Sequence, residues 1–285
     1  MVNNNQSKTV FVLEGGAMRG LYSAGVLDVF MKNGITTDAI YGVSAGALFG
    51  INFKSEQIGR AIRYNLKYAH EKNYMGLYSL ITTGNIMNEK FCFDKIVNEL
   101  DKFDFDTFNA SPIDFYAVVT NVETGKAEHI KITDAREQLE VLRASGSMPF
   151  VSKLVEIDGK KYLDGAISDP IPFKKVLEEG YEKIVVVLTR AEQDQKHQEK
   201  LPYNWVYRKY PNFIKCAEKQ LDIYNESLDL IKEYEKQGKI MVLRPSQNLK
   251  IARVEKNLKK LNAIYNLGVD DCSKKLDEIK KYLEQ

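Results

Sequence analysis

A serine between two glycines is the first residue in this chain whose surroundings suggest chemistry. Gly42, Ser44 and Gly46 form a G-x-S-x-G pattern that follows an apolar run and precedes a helical one. In a nucleophile elbow such a serine lies on a strained strand-to-helix turn, and the glycines avoid clashes with neighbouring backbone. The pattern also fits a small-residue turn that packs a helix against a sheet, so the context has to distinguish the two.

A second glycine-rich stretch, E-G-G-A-M-R-G at 14–20, follows an earlier apolar run. If the two runs are parallel neighbouring strands, both loops emerge at one sheet edge, and the backbone N–H groups of Gly15, Gly16 and Ala17 would face Ser44. Preorganised donors of this kind form an oxyanion hole. The alternative, a dinucleotide-binding loop, fits less well because Ala17 stands where the second glycine of G-x-G-x-x-G belongs.

A serine nucleophile needs a base, and the chain offers few candidates. Its three histidines, His70, His129 and His197, lie in polar or charged surroundings. Only His197 follows the chain order Ser, Asp, His of α/β-hydrolases, and its stretch is typical of a solvated surface. Asp164 instead ends a strand and precedes small residues. The residues alone leave Asp164 open as a base, a turn residue or a helix cap.

Alternating strands and helices must position these residues. A strand at 9–13, a helix at 20–32 and a strand at 38–43 form a βαβ unit, which predicts parallel strands. Asp158-Gly159 predicts a two-residue hairpin turn. Further strands are predicted at 114–121, 127–132 and 183–189, and further helices at 55–72, 85–101, 134–143 and 169–180.

Composition limits the class of protein. The 285 residues are 44% hydrophobic, enough for a sizeable core, and the net charge of +2 argues against binding nucleic acid through bulk charge. Three well-separated cysteines predict reduced thiols, and no signal peptide or transmembrane segment is visible, so we expect a cytoplasmic protein. A change in composition near residue 190 predicts a boundary there, between a domain at 1–190 that carries the candidate catalytic residues and a mostly helical region at 191–285.

Together these stretches resemble the patatin-like phospholipase family. That family has D-G-G-G-x-[RK]-G early in the chain, then G-x-S-x-G, and later D-G-[GA]. The order and spacing match, with two departures: Glu14 replaces an aspartate and Ala17 replaces the third glycine. The matching residues are Glu14, Gly15, Gly16, Ala17, Arg19 and Gly20, then Gly42, Ser44 and Gly46, then Asp164, Gly165 and Ala166.

The resemblance implies a three-layer α/β/α fold with a central, mainly parallel sheet, followed by the helical C-terminal region. It implies a serine acyl hydrolase of the phospholipase A or lysophospholipase type, with Ser44 as nucleophile and Asp164 as general base. Gly15, Gly16 and Ala17 would form the oxyanion hole, and Arg19 would brace that loop. No cofactor or metal is implied.

The implied substrate is a lipid or another acyl ester. The tyrosine-rich segment 203–234 fits either peripheral contact with a membrane or ordinary helix packing. Two other classes stay open: a catalytically silent scaffold with the same fold, and a nucleotide-binding protein that uses the glycine loop.

Overall fold

Strand, helix and strand at the start of the chain build the centre of a sheet. A computed structural model describes residues 8–194, 196–197 and 201–284. Strand β1 (Thr9–Leu13) pairs in parallel with β2 (Ala39–Val43), and helix α1 (Leu21–Lys32) connects them. The predicted βαβ unit is confirmed. The polar residues 1–7, where no signal peptide was expected, lie outside the described part.

Further strands extend this unit on both sides, and among the described residues the sheet has eight. They are β3 (Asp114–Asn121), β4 (Ala127–Lys131), β5 (Val155–Ile157), β6 (Lys160–Asp164), β7 (Lys183–Val187) and β8 (Ile240–Leu243). The order is β5-β6-β3-β2-β1-β7-β8, with β4 paired to β3. The five strands from β3 to β8 in this order run parallel, whereas β4 and β6 run antiparallel to β3.

Helices connect and cover the strands. A π-helix spans Phe91–Leu100, and short 3₁₀ helices span Ala17–Gly20 and Gly165–Ile167. The other α-helices are α2 (Ala45–Lys54), α3 (Arg60–Tyr68), α4 (Leu77–Thr83), α5 (Phe105–Ala110), α6 (Leu139–Ser145), α7 (Phe173–Glu178), α8 (Tyr203–Val206), α9 (Pro211–Glu218), α10 (Gln220–Lys236), α11 (Leu258–Lys274) and α12 (Leu276–Glu284).

Side chains of the central strands alternate between two apolar cores. In β1, Phe11 and Leu13 face one core, and Val10 and Val12 face the other. Residues of α1, α2 and α11 belong to the first core, and residues of α7 and α10 to the second. This period of two places apolar residues on both faces of a covered sheet. The expected three-layer α/β/α fold is therefore confirmed.

The C-terminal region is largely helical, as expected, but it also supplies β8 and part of the first core. Its helix α11 packs closely on α1. A Cβ atom on Gly25 would lie 2.2 Å from the carbonyl oxygen of Tyr265, and one on Gly268 would lie 2.1 Å from that of Tyr22. Only glycine permits such an approach. The division of the chain near residue 190 stays a prediction.

Four predicted helices have different bounds in the structure. The helix predicted at 134–143 is wrong at its start, because residues 135–138 form a turn and α6 covers Leu139–Ser145. The helix predicted at 55–72 is wrong at its start, because α2 runs to Lys54 and α3 begins at Arg60 after Gly59, whose φ of +72° breaks the helix. The helix predicted at 85–101 is a shorter π-helix. The helix predicted at 169–180 begins only after Pro172. No helix in the described ranges is long and apolar enough to cross a bilayer.

Candidate active site

Ser44 lies on the turn between β2 and α2, with a φ of +53° and a ψ of −121°. Such a conformation is strained for a residue with a side chain and persists only where the surroundings impose it. A Cβ atom on Gly42 would lie 2.7 Å from the backbone of Ala47, and one on Gly46 would lie 2.4 Å from the carbonyl oxygen of Leu13. The two glycines thus permit a turn that is packed tightly against its own helix and against β1.

The register of β3 brings Asp164 to this turn. Val118 pairs with Val43, the last residue of β2, and the next residue, Val119, pairs with Asp164. At both Val118 and Val119, one edge of β3 is occupied by β4. Strands β2 and β6 therefore pair with the other edge, and β6 begins to pair where β2 ends. Asp164 at the end of β6 therefore lies beside Ser44.

Asp164 and Ser44 are joined directly. The Ser44 hydroxyl donates to Oδ2 of Asp164 at 2.6 Å, while Oδ1 accepts the backbone N–H of Ala166 at 2.9 Å. The backbone is held as well, because Thr120 Oγ1 donates to the carbonyl oxygen of Asp164 at 2.8 Å. A Cβ atom on Gly165 would lie 2.2 Å from the carbonyl oxygen of Val118, so a glycine is required there.

Burial sets the electrostatics of this pair. Asp164 is only 4% exposed, and loss of solvent raises the pKa of its carboxyl group to about 6. Hydrogen bonds from Ser44 and Ala166 and the positive charges of Lys196 and Arg253 oppose that rise. A carboxylate with a raised pKa is a better proton acceptor than an exposed one, and it is still ionised at neutral pH.

The glycine-rich loop after β1 packs against the serine. A Cβ atom on Gly15 would lie 3.1 Å from Cβ of Ser44, and one on Gly16 would lie 2.5 Å from Oγ1 of Thr189. Ala17 has a φ of +48°, in the left-handed region. The glycine that the family motif has at this position would adopt that conformation without strain. The predicted meeting of the two loops at one sheet edge is therefore observed.

Charged residues lie beneath this loop. Glu14 is buried and accepts the backbone N–H of Thr189. Burial, and next the charge of Arg190, lower the pKa of Arg19, whereas Glu14 opposes the shift. A Cβ atom on Gly20 would lie 2.7 Å from Cβ of Ala45, so the loop also touches α2.

Ser145 is a residue of the site that motif reasoning did not single out. It is fully buried, its hydroxyl accepts the backbone N–H of Ser44 at 2.9 Å, and it donates to the carbonyl oxygen of Val118 at 2.7 Å. It therefore ties the strained turn to β3. The stretch 143–150 that contains it carried a signal, because it resembles the family segment before the aspartate motif.

The histidines lie elsewhere. His129 shares a hydrogen bond of 2.8 Å with Asp169, and His70 and His197 are exposed. Within the described residues, the carboxylate that contacts the Ser44 hydroxyl is that of Asp164.

An apolar cavity opens at Ser44, and neither composition nor motifs indicated it. Its volume is about 120 Å³. Its walls include Phe49, Met75, Met87, Leu142 and Met148, with Ala17 and Arg253 also lining it. A more polar cavity is lined by Arg190, Lys196 and Arg253 among others, so Arg253 lines both cavities. A substrate with an apolar chain and a reactive polar group would suit the first cavity.

Fold and site together define an α/β protein with a serine on a strand-to-helix turn and an aspartate as its partner. Residues 11–177 match the profile of the patatin-like phospholipases, and the chain belongs to that family. A second match, to a domain of unknown function (DUF6363), covers residues 210–284.

Individual proteins are similar to this chain over part of its length or most of it. The uncharacterized protein YjjU of Escherichia coli K12 is 29% identical over 188 residues, covering 64% of this chain and 52% of that protein. Lysophospholipase NTE1 of Scheffersomyces stipitis is 22% identical over 279 residues, covering 92% of this chain and 17% of that protein. The chain thus spans about half of the first relative and a small part of the second. The crystal structure of VipD from Legionella pneumophila aligns with 96% of this chain and 67% of its own, at 13% identity and a TM-score of 0.46.

Proposed function

We propose that this protein is a serine acyl hydrolase that cleaves carboxylic esters of lipids through a Ser44–Asp164 dyad. The observation that carries the proposal is the 2.6 Å hydrogen bond between the two side chains at the wall of an apolar cavity. Family membership supports the same class of activity.

The proposed reaction has two halves. Asp164 takes the proton of the Ser44 hydroxyl as its oxygen attacks the acyl carbonyl, and the same proton then passes to the departing alcohol. The acyl group is left on Ser44. In the second half Asp164 takes a proton from water, the water oxygen attacks the acyl-enzyme, and the proton returns to Ser44 as the acid leaves.

The glycine loop would stabilise the tetrahedral intermediate. Backbone N–H groups of Gly15, Gly16 and Ala17 are the proposed oxyanion donors, because this loop touches Ser44 and its glycines leave the backbone accessible. Arg19 would brace the loop from below, beside Glu14. The fixed position of Ser44 on the turn favours attack, since a preoriented nucleophile loses little entropy in reaching the transition state.

The substrate class follows from the cavity. Its apolar walls favour a hydrocarbon chain over a polar acyl group, which agrees with a phospholipase A or lysophospholipase type of activity. The relative from Scheffersomyces stipitis carries the name lysophospholipase. The three cysteines are free thiols, which agrees with the predicted reduced state. The cytoplasmic location stays a prediction.

Labelling with a fluorophosphonate probe tests this proposal. We expect the wild-type protein to be labelled at Ser44 and the Ser44→Ala variant to lose the label, because only an activated serine reacts with such a probe. Ser227 on α10, whose hydroxyl donates to the carbonyl oxygen of Ile223, supplies the control variant Ser227→Ala. An unlabelled wild-type protein would favour a silent scaffold, and thermal stabilisation by NAD(H) or FAD would favour a nucleotide-binding protein.

A further inference from the structure

A short uncharged segment forms an apolar protrusion on the surface. Residues 73–88 contain no Asp, Glu, Lys, Arg or His, in a chain of which 28% is charged. Within it, α4 exposes 69% of Leu77, 51% of Tyr78 and 74% of Ile81. A contiguous exposed apolar patch is a feature of surfaces that bind proteins or membranes.

The exposure is built into the fold. Met75 and Met87 form an antiparallel bridge at the base of the protrusion, and the backbone N–H of Gly76 donates to the carbonyl oxygen of Ile86 at 2.8 Å. Ser79 is fully buried on the inner side of α4 and donates to the carbonyl oxygen of Asn85 at 2.7 Å. These bonds fix which face of the helix points outward.

The base of the protrusion is part of the proposed acyl site. Met75, Ile86 and Met87 line the apolar cavity that contains Ser44. The segment that exposes Leu77 and Ile81 therefore also supplies part of the cavity wall. A hydrocarbon chain that leaves a lipid aggregate at α4 would meet apolar side chains on its way to Ser44.

Lysines stand at both ends of α4. The amino group of Lys256 lies 3.2 Å from the Cβ position of Gly76, and that of Lys153 lies 3.4 Å from the Cβ position of Gly84. An apolar centre with lysines at its rim is typical of elements that lie in the interface of a bilayer, where the amino groups reach lipid phosphates. Lys153 also lines a hollow beside Thr83 whose other charged residues are four carboxylates and two lysines, namely Glu71, Glu89, Asp94, Glu99, Lys90 and Lys95. Apolar burial rather than net charge therefore has to supply most of the attraction.

The tyrosine-rich segment 203–234, for which the sequence left membrane contact and helix packing both open, has a different character. In the segment 203–234, Tyr203, Tyr207 and Tyr224 are buried in the protein cores, as ordinary helix packing requires. Trp205 is 81% exposed, but it does not line the apolar cavity. It is therefore a natural control for exposed apolar area at another site.

We propose that α4 is a lipid-docking element that inserts Leu77, Tyr78 and Ile81 into the surface of a phospholipid membrane, with Lys153 and Lys256 at the headgroups. The choice of lipid as the occupant rests on the proposed hydrolase function. Docking itself needs no catalysis, so the two can fail separately.

Vesicle co-sedimentation tests the docking directly. In a Ser44→Ala background, which leaves the lipid intact, we expect binding to vesicles of phosphatidylcholine mixed with phosphatidylglycerol. Leu77→Ser combined with Ile81→Ser should weaken binding by at least about tenfold, since two large apolar side chains no longer leave water. Trp205→Ser should bind as the parent does. All three changes, made in the active protein, should leave hydrolysis of a soluble short-chain aryl ester unchanged.

A fluorescence measurement locates the contact without relying on loss of binding. Trp205 is the only tryptophan in the chain, so Trp205→Phe with Tyr78→Trp creates a single reporter on α4. Vesicles should shift the emission of this reporter to shorter wavelength and leave that of wild-type Trp205 unchanged.

Several outcomes would overturn the inference. The first is that the α4 double variant binds vesicles as strongly as the parent, and the second is that only Trp205→Ser loses binding. The third is that the wild-type protein binds no vesicles but forms a dimer, which dissociates in the double variant. If the vesicle results are as expected but no variant hydrolyses the aryl ester, docking stands and the proposed activity is wrong.

Discussion

The two strand-to-helix turns of the first βαβ unit meet at one sheet edge but are held in different ways. Each contains a non-glycine residue at positive φ, Ala17 at +48° after β1 and Ser44 at +53° after β2. The backbone N–H of Ser44 donates to Ser145, and its hydroxyl donates to Asp164. For Ala17, the side chain is a methyl group that can make no such bonds.

The difference teaches where strain is useful. At Ser44 the proposed nucleophile is the side-chain hydroxyl, which glycine cannot supply, so the strained backbone has to be imposed by surrounding contacts. At Ala17 the proposed donor is the backbone N–H, which glycine would supply equally well. We therefore expect changes at the serine turn to have large effects and changes at Ala17 to have small ones.

Removing the charge of Asp164 should have the largest effect. Asp164→Asn keeps the shape of the side chain but cannot take a proton, so kcat/KM for an aryl ester should fall by about a thousandfold or more. Asp169→Asn is the matched control, because Asp169 follows in the same segment and bonds to His129 instead. A near-normal rate in Asp164→Asn would remove this residue as the base.

Filling the space at the serine turn should come next. In Gly46→Ala the new methyl would lie 2.4 Å from the backbone oxygen of Leu13, which has no room to move within the sheet. We expect a loss of about 1 to 3 kcal/mol in the free energy of unfolding, measured by denaturant titration, together with loss of activity.

Gly50→Ala provides the contrast for Gly46→Ala. It lies one turn further along α2, and its methyl would lie 2.5 Å from Cδ1 at the end of the Leu13 side chain and in ordinary contact, at 3.6 Å, with the ring of Phe115. A helical Gly→Ala change is favourable in itself, so the net cost should be smaller. Equal losses in the two variants would mean that the turn is not the sensitive feature.

The pH dependence should reveal the buried carboxylate. Only ionised Asp164 can accept the serine proton, so kcat/KM should decline about tenfold per pH unit below about 6. Stability should show the opposite trend. The folded protein holds the proton of Asp164 more tightly than the unfolded chain does, so this group's stabilising contribution is complete below pH 3.8 and is lost as pH rises through about 6.

Asp164→Asn checks that sign. Above pH 6 it should be more stable than the wild type, by up to about 3 kcal/mol, because the cost of a buried charge is removed. Thermal unfolding of both proteins at about pH 5 and about pH 8 measures this difference in stability. If Asp164→Asn is less stable than the wild type at the higher pH, the hydrogen bonds of the Asp164 carboxylate outweigh the cost of burying its charge.

Local patterns were sufficient to predict the two turns but not the way they are completed. Strands β1, β2, β3, β4 and β7 follow from β-branched and aromatic runs, and the Asp158-Gly159 hairpin follows from turn chemistry. The meeting of Asp164 with Ser44 depends on β6 continuing the edge that β2 leaves, which is a long-range register. Ser145 and the apolar cavity likewise arise from elements far apart in the chain. Periodicity within a window carries no information about such contacts.

The smallest effect on stability is expected at Ala17, and whether the substitution stabilises or destabilises the protein is what distinguishes the two turns. Ala17→Gly relieves a left-handed backbone that costs alanine about 1 kcal/mol, while it adds entropy to the unfolded chain, so the melting temperature should stay constant or rise slightly. Ala47→Gly, the same substitution inside α2, should lower stability by about 1 kcal/mol, because glycine is a poor helix former. If Ala17→Gly destabilises the protein as much as Ala47→Gly, the methyl of Ala17 contributes packing that outweighs its strain. The glycine loop would then resemble the serine turn in being fixed by its side-chain contacts.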